Sequence, residues 1–155
     1  MKKIYYSWDL VERMCLTIGR EILLTQQMPD LIVGITRGGL VPANLLSQFL
    51  GCKMDTLDIS FRDGYTNPTS SLPDWFISAA KHTNVLVVDD INDSGRTLSY
   101  IQNQCHNMPK LRYATLVENE GSIFKDVSHS ASLIDKREDD TWIEFPWENW
   151  WASKR

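Results

Sequence analysis

Two adjacent carboxylates, Asp89 and Asp90, are followed closely by Asp93-Ser94-Gly95-Arg96-Thr97. A pair of acids offers hard oxygen donors to a divalent cation. A Ser-Gly-Arg-Thr loop that opens a helix offers backbone N–H groups, two hydroxyls and the positive helix end to an anion. Gly95 lets the backbone come close to such an anion. Acids beside a phosphate cup are what a Mg²⁺-bound sugar phosphate needs. The same residues also suit a plainer arrangement, an Asp-rich turn between a buried strand and an N-capped helix. Upstream stands Arg37-Gly38-Gly39. The Arg37 guanidinium is a forked cation that matches a diphosphate, although a surface arginine in a strand-to-helix turn reads the same way.

These groups need a scaffold, and the hydrophobic pattern describes one. Val85 to Val88 is apolar without alternation, which predicts a short strand buried on both faces of a parallel sheet and ending at the two acids. Leu98, Ile101 and Cys105 then recur at helical spacing. Leu31 to Ile35 predicts a second buried strand that delivers Arg37, and the helix after it runs from Leu40 to Leu50 and stops at Gly51. In an open α/β sheet, ligands bind outside the carboxyl ends of such strands. Around this pair the chain predicts an edge strand at Ile4-Tyr5-Tyr6. A helix follows from an N-cap at Ser7 to about residue 27, with Leu10, Met14, Ile18, Ile22, Val11 and Leu23 on its apolar side. Further strands are predicted at Lys53 to Ser60, Tyr113 to Val117 and Ala131 to Ile134, with a short helix at Asp74 to Lys81. Phe61 to about Leu72 is rich in Gly, Asn, Pro and Ser and predicts a loop. Lys136 to Asp140 reads as a solvated charged turn.

Composition narrows the function classes. The chain has 155 residues, 16 basic and 20 acidic, for a net charge of −4. One domain, residues 1–155, accommodates that length. An acidic total without a basic stripe argues against a nucleic-acid partner. No stretch approaches the roughly 18 apolar residues of a membrane span, and Met1 to Leu10 lacks the apolar core of a signal peptide. Cys15, Cys52 and Cys105 are odd in number and widely spaced, which predicts reduced thiols in the cytoplasm rather than a disulfide frame or zinc site.

An apolar strand, two acids and then a Thr/Ser-Gly-x-Thr loop resembles the signature of type I phosphoribosyltransferases, with Ser94 where threonine is usual. Ile35-Thr36-Arg37-Gly38-Gly39-Leu40-Val41-Pro42 is a second match, and Asp140-Thr141-Trp142-Ile143-Glu144-Phe145-Pro146-Trp147-Glu148 a third. With Ser7-Trp8-Asp9, they resemble the small bacterial xanthine-guanine group in the same order along nearly the whole chain. The resemblance implies a single-domain α/β fold: a parallel sheet with helices on both faces and a small C-terminal hood at about residues 136–155. It implies transfer of phosphoribose from 5-phosphoribosyl 1-diphosphate (PRPP) to a purine of the guanine, xanthine or hypoxanthine type. The products would be the nucleoside 5′-monophosphate and pyrophosphate, in nucleotide salvage.

Site roles follow from the same resemblance. Asp89 and Asp90 would hold the ribose hydroxyls and Mg²⁺, with Asp90 the more direct metal ligand. Arg37 and Gly38 would meet the diphosphate, in a loop carrying a non-proline cis peptide between Thr36 and Arg37. Asp93, Ser94, Gly95, Arg96 and Thr97 would cup the 5′-phosphate. Asp93 would also act as general base toward the imidazole nitrogen of the purine, and it equally suits a helix N-cap. Trp142 would stack on the base and Ile143 would present backbone groups to its edge. A mobile loop at about residues 60–75 would close over the site, with Ser60, Phe61 and Arg62 touching pyrophosphate. Relatives are homodimers or homotetramers.

One position departs from the pattern. The xanthine-guanine group places a lysine after the strand that ends near residue 118, where it donates to the 6-oxo group; here Asn119 takes that place. An asparagine both donates and accepts, which predicts weaker or altered selection at the 6-position, toward an amino-bearing base. Two alternatives remain open: a non-catalytic sensor of PRPP or nucleotide with the same fold, and a transferase for another nucleobase.

Overall fold

Uninterrupted apolar runs become parallel strands because both of their faces need cover. A computed structural model of the protein describes residues 1–59, 61, 71–106 and 108–152. The elements in chain order are β1 (Lys2–Tyr5), α1 (Trp8–Thr25), β2 (Leu31–Ile35), α2 (Leu40–Leu50), β3 (Lys53–Leu57), α3 (Asp74–His82), β4 (Val85–Asn92), α4 (Arg96–Gln104), β5 (Leu111–Asn119), β6 (His129–Ile134) and β7 (Thr141–Glu144). Five strands form a parallel sheet in the order β3-β2-β4-β5-β6. β1 and β7 form a separate parallel pair.

Alternate residues of β4 serve two cores. Leu86 and Val88 pack with Val11, Ile18 and Ile22 of α1 and Ala43 and Leu46 of α2. Val85 and Val87 pack with Phe76 and Ala80 of α3 and Leu98 and Ile101 of α4. Helices therefore cover both faces, and Val85 to Val88 turn no side to solvent. Each such fully buried aliphatic side chain contributes about 1.5–3 kcal/mol.

The topology creates a crevice. From β2 the chain winds outward through α2 to β3, whereas from β4 it winds the other way through α4 to β5. The strand order thus reverses between β2 and β4, where an open α/β sheet binds ligands. The β2–β4 ladder runs from Leu31↔Val85 to Gly34↔Val88 and stops there. Beyond it β4 stays paired to β5 as far as Asn92↔Glu118. Asp89 and Asp90 lie in that overhang.

Several boundaries differ from the pattern-based reading. β4 does not end at the acids but carries them inside the strand, because β5 supplies a partner up to Asn119. β3 ends at Leu57, and β6 begins at His129. The N-terminal strand is no edge of the main sheet; it pairs with β7, for which the periodicity gave no strand signal. In α1, Ser7 accepts from Leu10 N at 3.1 Å as expected of a cap, but Leu23 is 48% exposed and lies outside the core. Most of the loop at about residues 60–75, including Ser60 and Arg62, lies outside the described residues.

Candidate active site

The acids are held by their own backbone. Asp90 N donates to Asp89 Oδ1 at 2.9 Å, and Ile91 N donates to Asp90 Oδ1 at 2.7 Å. Asp90 is only 2% exposed. The loop after β2 closes against it. A side chain at Gly38 would run into the Asp90 carboxylate, and one at Gly39 into the carbonyl of Val88 and the backbone of Ile35. The glycine pair is thus fixed by close approach. The Thr36–Arg37 peptide is cis. Thr36 is anchored twice, its N–H to Leu57 O at 3.0 Å and its hydroxyl to Asp58 Oδ1 at 2.8 Å. Arg37, next in the chain, lines the crevice.

The loop between β4 and α4 is shaped from behind. Gly95 has φ +85° and ψ 0°, a left-handed conformation that favours glycine. A Cβ there would strike Ser122 Oγ and the Phe124 N–H nitrogen. These two residues belong to a buried knot: Asn92 Nδ2 donates to Phe124 O at 3.0 Å, Ser122 Oγ donates to Asn92 Oδ1 at 2.9 Å, and Phe124 N donates to Ser122 Oγ at 3.1 Å. Ile123 N also donates to Ser94 O at 3.1 Å. Gly95 is the N-cap residue of α4 and has no side chain to cap the helix, and Ser94 Oγ takes one N–H, that of Arg96 at 3.4 Å. The first-turn N–H groups and the positive helix end therefore face the crevice, an arrangement suited to an anion.

Together these walls enclose a cleft of about 490 Å³. Arg37, Gly38, Asp89, Asp90, Asp93, Ser94, Gly95, Arg96 and Thr97 all line it, as do Trp142, Trp147 and Trp151 from the C-terminal segment. Phe61 stands at the rim, with the Arg96 guanidinium 4.9 Å from its ring centre and Tyr100 at 5.9 Å. The hood is aromatic inside. Phe145 and Trp147 stack at 4.9 Å, and Tyr6 meets Phe145 edge-on at 5.5 Å.

Asp93 does not cap α4. Its Oδ2 takes the Lys136 ammonium at 2.7 Å and its Oδ1 the Asn119 Nδ2 at 3.2 Å. Asn119 is buried and fully committed: Nδ2 also donates to Asp93 O at 3.2 Å, while Oδ1 accepts from Gly121 N at 3.1 Å and Lys136 N at 3.2 Å. It braces three segments and does not line the cleft. Ile143 is buried in the α1/α2-side core. Lys125 donates to Glu120 O at 2.6 Å.

The turn after β6 is therefore not simply solvated. Arg137 grips Asp135 through Nε at 2.8 Å and Nη2 at 2.6 Å, and this guanidinium lowers the Asp135 carboxyl to about 2. That clamp, with the Asn119 bond, turns Lys136 inward. Its side chain is 17% exposed and its ammonium lies 5.7 Å from the centre of the Trp142 ring.

Comparison with known proteins places the chain in a family. The family described as phosphoribosyl transferase domain matches residues 2–153. The chain belongs to the phosphoribosyl transferase family. A xanthine-guanine phosphoribosyltransferase of Cereibacter sphaeroides is 32% identical over 157 residues, covering 95% of this chain and 87% of that protein. A purine phosphoribosyltransferase of Pyrococcus horikoshii superposes over 100% of both chains with TM-score 0.76 at 25% identity. The xanthine-guanine-hypoxanthine phosphoribosyltransferase of Helicobacter pylori, at 22% identity, shares the fold with TM-score 0.69 over 95% of this chain and 94% of that one. The α/β fold implied by the sequence motifs is thus that of phosphoribosyltransferases.

Reading the sequence missed two sets of residues in or beside this cleft. Lys136 was hidden in a run of charges. Asn92 and Ser122 carried no signal at all, since nothing local distinguishes a buried asparagine at a strand end from a turn residue.

Proposed function

We propose that the protein is a purine phosphoribosyltransferase, joining a guanine-, xanthine- or hypoxanthine-type base to PRPP and releasing pyrophosphate and the nucleoside 5′-monophosphate. One observation carries the reading: three distant segments, residues 36–38, 89–97 and 142–151, line one cleft with arginines, a run of aspartates, a helix start and aromatic rings. The relatives named above act on purines by their names.

The residues divide the work by chemistry. The loop from Asp93 to Thr97 takes the 5′-phosphate on its N–H groups and hydroxyls. Arg37 meets the diphosphate with a bidentate fork. Asp93 stands where a carboxylate can take the proton from the purine imidazole nitrogen as the new bond to ribose forms. Trp142 supplies a flat face for the ring.

Asp89 and Asp90 fit Mg²⁺. They are hard oxygen donors side by side, and Mg²⁺ characteristically takes one or two carboxylates, keeping water and substrate oxygens for the rest. Among the described residues no group of three or more His, Cys, Asp or Glu forms a closed metal cage, which is consistent with a metal that arrives with its phosphate ligand. When bound, the ion would offset charge on the departing diphosphate.

The test is pyrophosphate release with PRPP, Mg²⁺ and a panel of nucleobases. Turnover with 6-oxopurines, reduced at least a hundredfold in Asp90→Asn (about 2.7 kcal/mol of lost transition-state stabilisation), is the expected result. Tight PRPP binding without turnover on any base would replace the enzyme with a sensor. Undiminished turnover in Asp90→Asn would remove Asp90 from the metal site.

A further inference from the structure

We infer that Asn119 is a positioning residue: it fixes the direction in which the Asp93 carboxylate points and does not itself read the base. The inference rests on the purine-transfer reading above, in which Asp93 accepts the proton, and adds to it the residue that orients that acceptor.

Asp93 is the first residue after β4, lines the cleft and has a side chain 31% exposed. An aspartate so placed turns about two side-chain torsions, whereas a carboxylate that takes a proton works best when it is already aimed. One amide holds Asp93 at both ends. Asn119 Nδ2 donates to the Asp93 backbone carbonyl and to Asp93 Oδ1, each at 3.2 Å. Main chain and side chain of one residue are thus tied to a single nitrogen, which restrains both torsions together. The Lys136 ammonium takes the other oxygen, Oδ2, at 2.7 Å. A carboxylate has about four lone-pair sites. Asn119 and Lys136 use one on each oxygen, and each oxygen keeps one for a ligand.

The bracket is anchored in the sheet. Asn119 is the last residue of β5, sits opposite Ile134 in the β6 ladder and is 7% exposed. Its Oδ1 accepts from Gly121 N at 3.1 Å and from Lys136 N at 3.2 Å. Two amide hydrogens and two oxygen lone pairs therefore meet two donations and two acceptances inside the protein, which leaves nothing for a base. The halves of the carboxamide have separate tasks: the oxygen joins backbone to backbone, and the nitrogen holds only Asp93. This replaces the role drawn from the sequence, in which Asn119 alters selection at the 6-position.

That division makes Asn119→Asp the decisive variant. It keeps an oxygen for Gly121 N and Lys136 N, and turns a second carboxylate oxygen, in place of the amide donor, toward Asp93. The experiment measures kcat, KM for PRPP, and kcat and KM for hypoxanthine, guanine and adenine in the wild type, Asn119→Asp, Asp93→Asn and the double variant, with a melting curve for each. Asn119→Asp should lose roughly ten- to a hundredfold in kcat, the range of one hydrogen bond to a charged group, with every KM within about threefold and the ranking of bases unchanged. In the Asp93→Asn background the same change should cost less than about threefold, because the carboxylate it acts through is gone. An unchanged kcat in folded Asn119→Asp, a changed ranking of bases, or an equal loss in both backgrounds overturns the inference. If Asp93→Asn has no measurable turnover, kcat and the ranking decide. If Asn119→Asp does not fold, Asn119→Ser, whose shorter side chain falls short of Asp93, must show the same split between kcat and KM. A wild type inactive on every base fails the transferase reading and the inference with it, whereas an active wild type whose kcat ignores residue 119 fails the inference alone.

Discussion

Replacing Asn92 by alanine tests whether the loop between β4 and α4 is set by the buried knot behind it. The carboxamide is 1% exposed and Ser122 2% exposed. Its removal strips the partner from Phe124 O and from the Ser122 hydroxyl, which it holds at 3.0 Å and 2.9 Å. A buried polar group left unpaired costs about 1–3 kcal/mol. The serine hydroxyl can rotate to another acceptor, so the combined cost should be about 2–4 kcal/mol. In a chain of this size that is a melting-point drop of about 5–15 °C. Urea unfolding should show a lower midpoint with an unchanged slope. Ser122→Ala removes the same Asn92 bond from the other side and also orphans Phe124 N. The double mutant should therefore cost less than the two singles combined, by at least about 0.5 kcal/mol. Because Ser122 and Phe124 are what Gly95 rests on, PRPP KM should rise in both singles. A melting shift below about 2 °C for Asn92→Ala, or strict additivity in the double mutant, would refute the argument.

Two further outcomes follow from the same physics. Gly95→Ala forces a left-handed residue to carry a Cβ, at about 1–2 kcal/mol, and drives it into Ser122 and Phe124, at about 1–3 kcal/mol more; thermal melts and PRPP titration should both show the loss. Burial pushes the Cys15 thiol up to about 12 and Cys105 up to about 11, against about 8.5 in the unfolded chain, so the folded state keeps protons that the unfolded state releases. Their stabilising effect is whole below that unfolded value and drains away as pH climbs toward 11–12, by at most about 1.4 kcal/mol per pH unit for each thiol; the slope of urea midpoint against pH should flatten in Cys15→Ala/Cys105→Ala, and an unchanged slope would contradict it.

How much of this could be read beforehand depended on whether the cause was local. Val85 to Val88 announced a doubly covered strand because every position there is apolar, and the acids and small residues after it declared a switch-point loop. Gly95 was legible as a place of close approach, though the Ser122–Phe124 segment behind it was not, and nothing local showed that Gly38 lies against Asp90. The continuation of β4 to Asn92 was illegible because acids and asparagine locally signal a turn, and only pairing with β5 overrides that. Lys136 sits among Asp135, Arg137, Glu138, Asp139 and Asp140, a composition that reads as solvent-facing. A tether to Asn119 across the fold, not local pattern, turns it inward. The β1–β7 pair was missed because four residues a side are too few for periodicity to register.

That last pair has a consequence for how the protein comes into being. Lys3 is the ladder partner of Trp142, so one wall of the cleft is tied to a strand that lies far earlier in the chain. During synthesis β1 emerges long before β7 and must wait for it while the elements from α1 to β6 are made. The aromatic wall is the last part of the described cleft that a growing chain can close, and the loop after β4 is complete well before Trp142 has its strand partner.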